Sequence, residues 1–176
     1  MARAIKSNKI VGNGISPVGV AEYVWLKEPQ KSNLDDDKPP KYNVTLAVHP
    51  DDPEVKKWLE SVKALTKFAA NYPWKLDPES GNLHIRFSSY KPAQAIVDSH
   101  NNPLPAGVFP GSGSEIRIAY AVNEFPGFGG GINFYLNKVQ VINMVERPDV
   151  KFEEVDGYKA EQAATQAKTE SGNLPF

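Results

Sequence analysis

Apolar and polar residues alternate with a period of two in several stretches spread along this chain, and one stretch alone keeps a helical period. From Tyr42 to Val48 the residues Tyr42, Val44, Leu46 and Val48 fall on one face, which predicts a half-buried strand. Leu83 to Tyr90 repeats the pattern, with Leu83, Ile85 and Phe87 on one side and His84, Arg86, Ser88 and Tyr90 on the other. Glu115 to Glu124 places Ile116, Ile118, Tyr120 and Val122 in phase and turns Arg117 to the opposite face. Nearer the start, Ile15 to Leu26 is extended. Gly19, Ala21, Tyr23 and Trp25 share one parity there, and Val18, Val20, Val24 and Leu26 the other, interrupted by Glu22. Ile132 to Val145 is the longest strand. Its phase slips between Leu136 and Val139, which predicts a bulge or a barrel-corner bend. Ala95 to Asp98 is a short apolar piece.

The helical stretch is predicted from Pro53 to Tyr72. Asp52 is its N-cap, proline takes the first helical position, and Glu54 sits at the positive end of the dipole. Val55, Trp58, Leu59, Val62, Leu65, Ala69 and Tyr72 recur at spacings of three and four and form one apolar stripe. On that stripe Trp58 reads as core. Between these elements lie frequent turns, among them Asp77-Pro78, Asn101-Asn102-Pro103 and Pro110-Gly111-Ser112-Gly113. Strands, one helix, then strands again predict a mainly β fold, a small antiparallel barrel with one packed α-helix.

Composition narrows the classes. The chain has 176 residues, 40% hydrophobic and 23% charged, enough for one domain with a real core. No apolar run approaches the roughly 18 residues of a membrane span, and no signal-peptide pattern opens the sequence. Without cysteine there is no disulfide scaffold, thiolate zinc site or cysteine nucleophile, and a reducing compartment is expected. A formal net charge of −1 argues, taken alone, against a nucleic-acid binder. The charges are unevenly spread, however. Residues 146–176 hold four basic against seven acidic side chains, a balance of −3, which leaves +2 on residues 1–145.

Candidate chemistry is sparse. His49, His84 and His100 show no metal-ligand spacing, and Asp98 with His100 reads as a loop pair before a hydrolytic one. Asp35-Asp36-Asp37 reads as a solvated loop. Phe125 to Gly131 is glycine-rich but leads into a strand, so it lacks the helix N-terminus of a phosphate-cradling loop. No catalytic residue, metal or cofactor is expected. What stands out is aromatics interleaved with cations outside the helix: Tyr23, Trp25, Tyr42, Tyr90, Phe109, Phe125, Phe128 and Tyr135, accompanied by Arg86, Lys91, Arg117 and Lys138. Single-stranded nucleic acid is held by that mixture, bases on rings and phosphates on cations, although small barrels also fill their interiors with rings.

The stretch Phe109-Pro-Gly-Ser-Gly-Ser-Glu-Ile-Arg-Ile-Ala-Tyr-Ala-Val, with its continuation Gly127-Phe-Gly-Gly-Gly-Ile-Asn-Phe-Tyr-Leu-Asn-Lys-Val-Gln-Val-Ile, resembles a family of phage-encoded single-stranded-DNA-binding proteins. Ile15-Ser-Pro-Val-Gly-Val-Ala-Glu-Tyr and the Tyr42 strand are also similar, so the resemblance covers most of residues 15–145. It implies an OB-fold-like five-stranded antiparallel barrel over residues 1–145 and a flexible, mildly acidic tail over residues 146–176. The tail ends Leu174-Pro175-Phe176, similar to the Pro-Phe tip with which such proteins recruit partners, although the residues just before it are nearly uncharged.

The implied function is non-sequence-specific binding and protection of single-stranded DNA in phage replication, recombination and repair, in the cytoplasm of a bacterial host. Trp25, Tyr90, Phe128 and Tyr135 would stack on bases, and Arg86, Arg117 and Lys138 would meet phosphates. Leu174, Pro175 and Phe176 would engage replication or recombination proteins. A homodimer stays open and no membrane contact is expected. A carbohydrate- or protein-binding β-barrel module of a phage particle is the alternative use of the same aromatics.

Overall fold

A computed structural model describes residues 7–31, 39–66, 69–145 and 155–158. Eight strands and one α-helix make up the body: β1 Lys9–Ile15, β2 Gly19–Gln30, β3 Lys41–Val48, α1 Pro53–Lys63, β4 Trp74–Leu76, β5 Leu83–Ser89, β6 Ala95–Val97, β7 Glu115–Phe125 and β8 Gly131–Asn143. Five of the strands close a ring. β2 pairs antiparallel with β3, β3 with β5, β5 runs parallel to β8, β8 pairs antiparallel with β7, and β7 returns to β2. This is an OB-like barrel, and β1, β4 and β6 extend it at the margins of β7, β5 and β8.

The alternation explains the interior. Val44, Leu46, Ile85, Phe87, Ile116, Ile118, Val122, Ile132 and Phe134 are all buried, each on the apolar parity of its strand. Tyr120, Phe87 and Phe134 form the aromatic centre. The Phe87 and Phe134 rings stack at 5.1 Å, and Tyr120 lies 4.6 Å from Phe134. Helix α1 packs on this centre through Val55, Trp58 and Val62. Trp58 is core, as its place on the stripe implies, and its indole Nε1–H donates to the Tyr120 hydroxyl at 2.7 Å. Asp52 caps the helix by accepting from the Glu54 amide at 3.0 Å.

Three expectations need correction. The helix ends at Lys63 and does not reach Tyr72. Leu65 is 40% exposed, and the Ala70 and Asn71 amides donate to the Gly130 carbonyl at 3.0 and 3.2 Å. The β7–β8 hairpin therefore supplies the backbone partners that a longer helix would have supplied to itself. The first extended stretch, read as Ile15 to Leu26, breaks after Ile15, the last residue of β1, and resumes as β2 at Gly19, because the Ser16 hydroxyl and amide bond β7 at Ile118 and turn the chain between the two strands. Finally, β2 does not keep one parity. Its register against β3 shifts between Glu22 and Trp25, so Ala21 and Leu26 are both inward while Trp25 faces out. The phase slip in β8 is a bulge, as its sequence predicts: the register with β7 shifts between Ala119 and Tyr120.

Candidate nucleic-acid interface

The outer faces of β2, β3, β5 and β8 form one continuous surface, ordered by strand register. Trp25 pairs with Asn43, Asn43 with Ser88, and Ser88 with Tyr135, so these four side chains follow one another across four strands. A second row runs Glu22, Thr45, Arg86. Asn43 is buried and donates through Nδ2 to Gln30 Oε1 at 2.9 Å, which ties the far end of β2 to β3 beyond the bulge.

An open groove of about 580 Å³ lies along this surface. Tyr23, Tyr72 and Trp74 supply rings to its lining, and Lys41, Lys75 and Arg86 supply cations. The Tyr72 and Trp74 rings stack at 4.8 Å with 15° between their planes, and Trp74 also leans on Trp58 and Phe134 of the core. Short β4 holds this pair by pairing Trp74 with Ile85 and Lys75 with His84. His84 Nε2 lies 3.2 Å from Glu22 Oε2 and 3.9 Å from Asp77 Oδ2, so two carboxylates temper the positive charge on one side of the groove. The Asp77 carboxyl is held below the usual carboxylate range, chiefly by the hydroxyl of Ser80, with desolvation opposing and the Glu79 and Ser80 amides assisting.

Of the seven body residues singled out from sequence, Arg86 lies in the groove itself. Trp25 is 37% exposed in an adjoining cleft that shares Tyr23 with the groove. Tyr90 stands exposed just past β5, with Lys41 Nζ 4.8 Å from its ring centre. Tyr135 is half-buried beside Ser88. Phe128 is 97% exposed at the turn of the β7–β8 hairpin, and Asn71 Nδ2 secures that turn by donating to the Phe128 and Gly130 carbonyls, both at 2.9 Å. Arg117 and Lys138 are exposed on the β6–β7–β8 side, outside the groove. Arg117 Nε donates to Gln140 Oε1, and Lys138 pairs across to Ala119 and Ala95. Leu174, Pro175 and Phe176 lie outside the described residues, as does Asp35-Asp36-Asp37.

Sequence reasoning missed Trp74, Tyr72 and the cations Lys41 and Lys75. A three-residue strand is too short to show alternation, and Tyr72 fell in phase with the helical stripe. The adjacent aromatic, proline and aromatic at Tyr72, Pro73 and Trp74 was the available signal. Asp98 belongs to a turn: its Oδ1 accepts from the His100 and Asn102 amides at 2.8 and 2.9 Å, and these bonds hold its carboxyl below the ordinary range. Among the described residues no cluster of three metal-ligating side chains occurs, and no helix is long and apolar enough to cross a membrane.

No protein-family model and no curated protein matches the chain. Solved structures do. Gp2.5, a single-stranded DNA binding protein encoded by bacteriophage T7, superposes with a TM-score of 0.63 at 18% identity, over 81% of this chain and 98% of that one. The chain has the fold of phage single-stranded-DNA-binding proteins. The C-terminally truncated single-stranded DNA-binding protein of bacteriophage Enc34 gives 0.62 at 18% identity, over 82% of this chain and 94% of that one. The Enc34 protein in complex with single-stranded DNA gives 0.59 at 18%, over 84% and 96%. About four-fifths of this chain takes part in the likeness.

Proposed function

We propose that this protein binds single-stranded DNA without sequence preference, along the groove on the outer faces of β2, β3, β5 and β8. The observation that carries the proposal is the composition of that groove: rings of Tyr23, Tyr72 and Trp74 beside Lys41, Lys75 and Arg86 on one open surface. Every base has a π-face, so rings hold a strand whatever its sequence, at about 1–3 kcal/mol per stacked base, while cations follow the phosphates. The fold supports the reading, because a protein of similar fold has been seen in complex with single-stranded DNA.

Within this proposal Arg86 contacts a phosphate at the centre of the groove. Trp25 and Tyr135 offer further stacking surfaces along the row that crosses the four strands, and Tyr90 offers one just past β5. Arg117 and Lys138 extend the path around the β7–β8 face and meet the strand as it leaves. The protein acts by binding and not by catalysis; the Asp98 carboxylate, already engaged by two amides of its own turn, supports that view. Replication, recombination and repair in the host cytoplasm, and recruitment of partner proteins through Leu174, Pro175 and Phe176, belong to the proposal on the sequence resemblance.

Titration of labelled oligothymidine and of a duplex at several salt concentrations tests the function. Expected are tighter binding to the single strand and an affinity that falls with salt, with a log–log slope of roughly −0.7 per phosphate neutralised. Equal affinity for duplex, or binding indifferent to salt, would count decisively against DNA and return the surface to a carbohydrate or protein ligand. Capture of host or phage proteins by the full chain, lost on Phe176→Ala, is the outcome expected for the tip.

A further inference from the structure

Three residues other than glycine have a left-handed backbone among the described residues: Tyr23 at φ 50, Asn101 at φ 65 and Phe128 at φ 55. Asparagine tolerates that conformation, and Asn101 sits in the turn that Asp98 organises. Tyrosine and phenylalanine do not tolerate it readily, because the β-carbon crowds the backbone. The fold gains little in return, since the Phe128 ring is 97% exposed, Tyr23 is 69% exposed, and neither belongs to the hydrophobic core. The contrast is sharpest at the hairpin turn. Glycine occupies positions 127, 129, 130 and 131, and Gly129 and Gly130 have φ of 86 and 92, yet phenylalanine stands among them with a left-handed backbone of its own.

One strained ring, Tyr23, lines the groove, and the other, Phe128, stands on the hairpin whose base lines it. Tyr23 falls where the register of β2 against β3 shifts, and such a bulge re-aims a side chain; it lines the groove from the β2 side. Phe128 stands exposed at the turn of the β7–β8 hairpin. Phe125, Ile132 and Asn133 at the base of that hairpin line the groove, as does Asn71, which bonds the Phe128 carbonyl. The stacked Tyr72 and Trp74 rings follow Asn71 directly.

We infer that Tyr23 and Phe128 form a two-sided clamp for the bases of a single-stranded nucleic acid, and that backbone strain is what presents each ring to its base. The inference rests on the function proposed above and adds which residues grip the strand and how the fold presents them. It has an unusual signature, because replacing either ring by a residue that suits the backbone should weaken binding without weakening the fold. A side chain with a structural role would lower both.

The test uses the full chain with Phe128→Gly, Phe128→Tyr, Tyr23→Gly and Tyr23→Asn. Glycine relieves the left-handed strain, so the thermal midpoint of Phe128→Gly should rise by about 2–5 °C. Its affinity for oligothymidine should fall roughly 5- to 150-fold, the loss of one stacked base. Phe128→Tyr keeps the ring and should bind as the parent does. At position 23 glycine also weakens the strand, so Tyr23→Asn, which tolerates the backbone without offering a ring, carries the comparison; it should lose affinity with no drop in midpoint. Unchanged affinity in the ring-less variants, or a midpoint that falls in Phe128→Gly, overturns the clamp while single-strand binding by the parent stands. A parent protein that does not prefer single strands overturns the underlying function, and the clamp with it.

Discussion

Tyr120 shows how one side chain joins the core to the helix. Its hydroxyl accepts from Trp58 and its ring packs against Phe87 and Phe134. Burial pushes its phenol above the usual tyrosine range, and the bond from Trp58 opposes part of that shift. A raised pKa in the folded state means that stability is whole below about pH 10, the unfolded value, and is lost as pH rises through the folded one. Tyr120→Phe leaves the Trp58 N–H without its acceptor and should cost about 1–3 kcal/mol at neutral pH. The deficit should narrow above pH 10, where only the parent tyrosine ionises, and urea melts across pH measure both effects. On the outer surface Arg86 makes no such contribution to the core. Arg86→Gln should leave the melting midpoint unchanged and reduce the salt slope of oligothymidine binding by roughly 0.7, one phosphate contact on a single strand.

At the level of elements, the helix and the hairpin compete for the segment between them. Residues 69–72 continue the apolar stripe of α1, and by periodicity alone they are helical. The hairpin wins because its Gly130 carbonyl accepts from Ala70 and Asn71, while the Asn71 carbonyl accepts from the Ile132 amide at 3.0 Å. This docking depends on Gly131, where a β-carbon would lie 2.4 Å from Phe125 Cζ and 2.9 Å from the Asn71 carbonyl oxygen. Gly131→Ala should therefore destabilise the protein by about 1–3 kcal/mol and loosen the hairpin from the Tyr72–Trp74 pair. Faster hydrogen exchange at the Ala70 and Ile132 amides, with weakened oligothymidine binding, is the expected readout; slow exchange in the variant would show that the docking does not depend on that glycine.

At the scale of the molecule, the charge of −1 is an average over a body of +2 and a segment of −3 in residues 146–176. A body so weakly basic cannot draw all its affinity from phosphates, which agrees with a groove in which the rings of Tyr23, Tyr72, Trp74 and Phe125 stand beside three cations. Replacing the seven acidic residues of the segment by their amides in the full chain should raise affinity for oligothymidine several-fold at low salt. The gain should vanish near 1 M salt, where the Debye length is about 3 Å. A gain that persists at high salt would point to a cause other than charge.

Much of the barrel was legible in the chain. Parity in β3, β5 and β7, the slip in β8, the capped start of α1 and the core role of Trp58 all follow from local periodicity, which burial on one face imposes residue by residue. The outward positions of Arg86 and Phe128 were legible as well, one by standing on the polar face of a strand and the other by its place in a glycine turn. Local pattern carries no information about which outer faces adjoin, because adjacency depends on register between strands far apart in sequence. The row from Trp25 through Asn43 and Ser88 to Tyr135 exists only once four strands are aligned. The same alignment carries Arg117 and Lys138 away from the groove and brings Tyr72 and Trp74 to it, since a three-residue strand and a rejected helical turn have no period of their own. Outside β2 and the segment after α1, the chain by itself decided which side chains face in, because burial on one face imposes its period locally; closure of the barrel decided which of the outward ones share a surface.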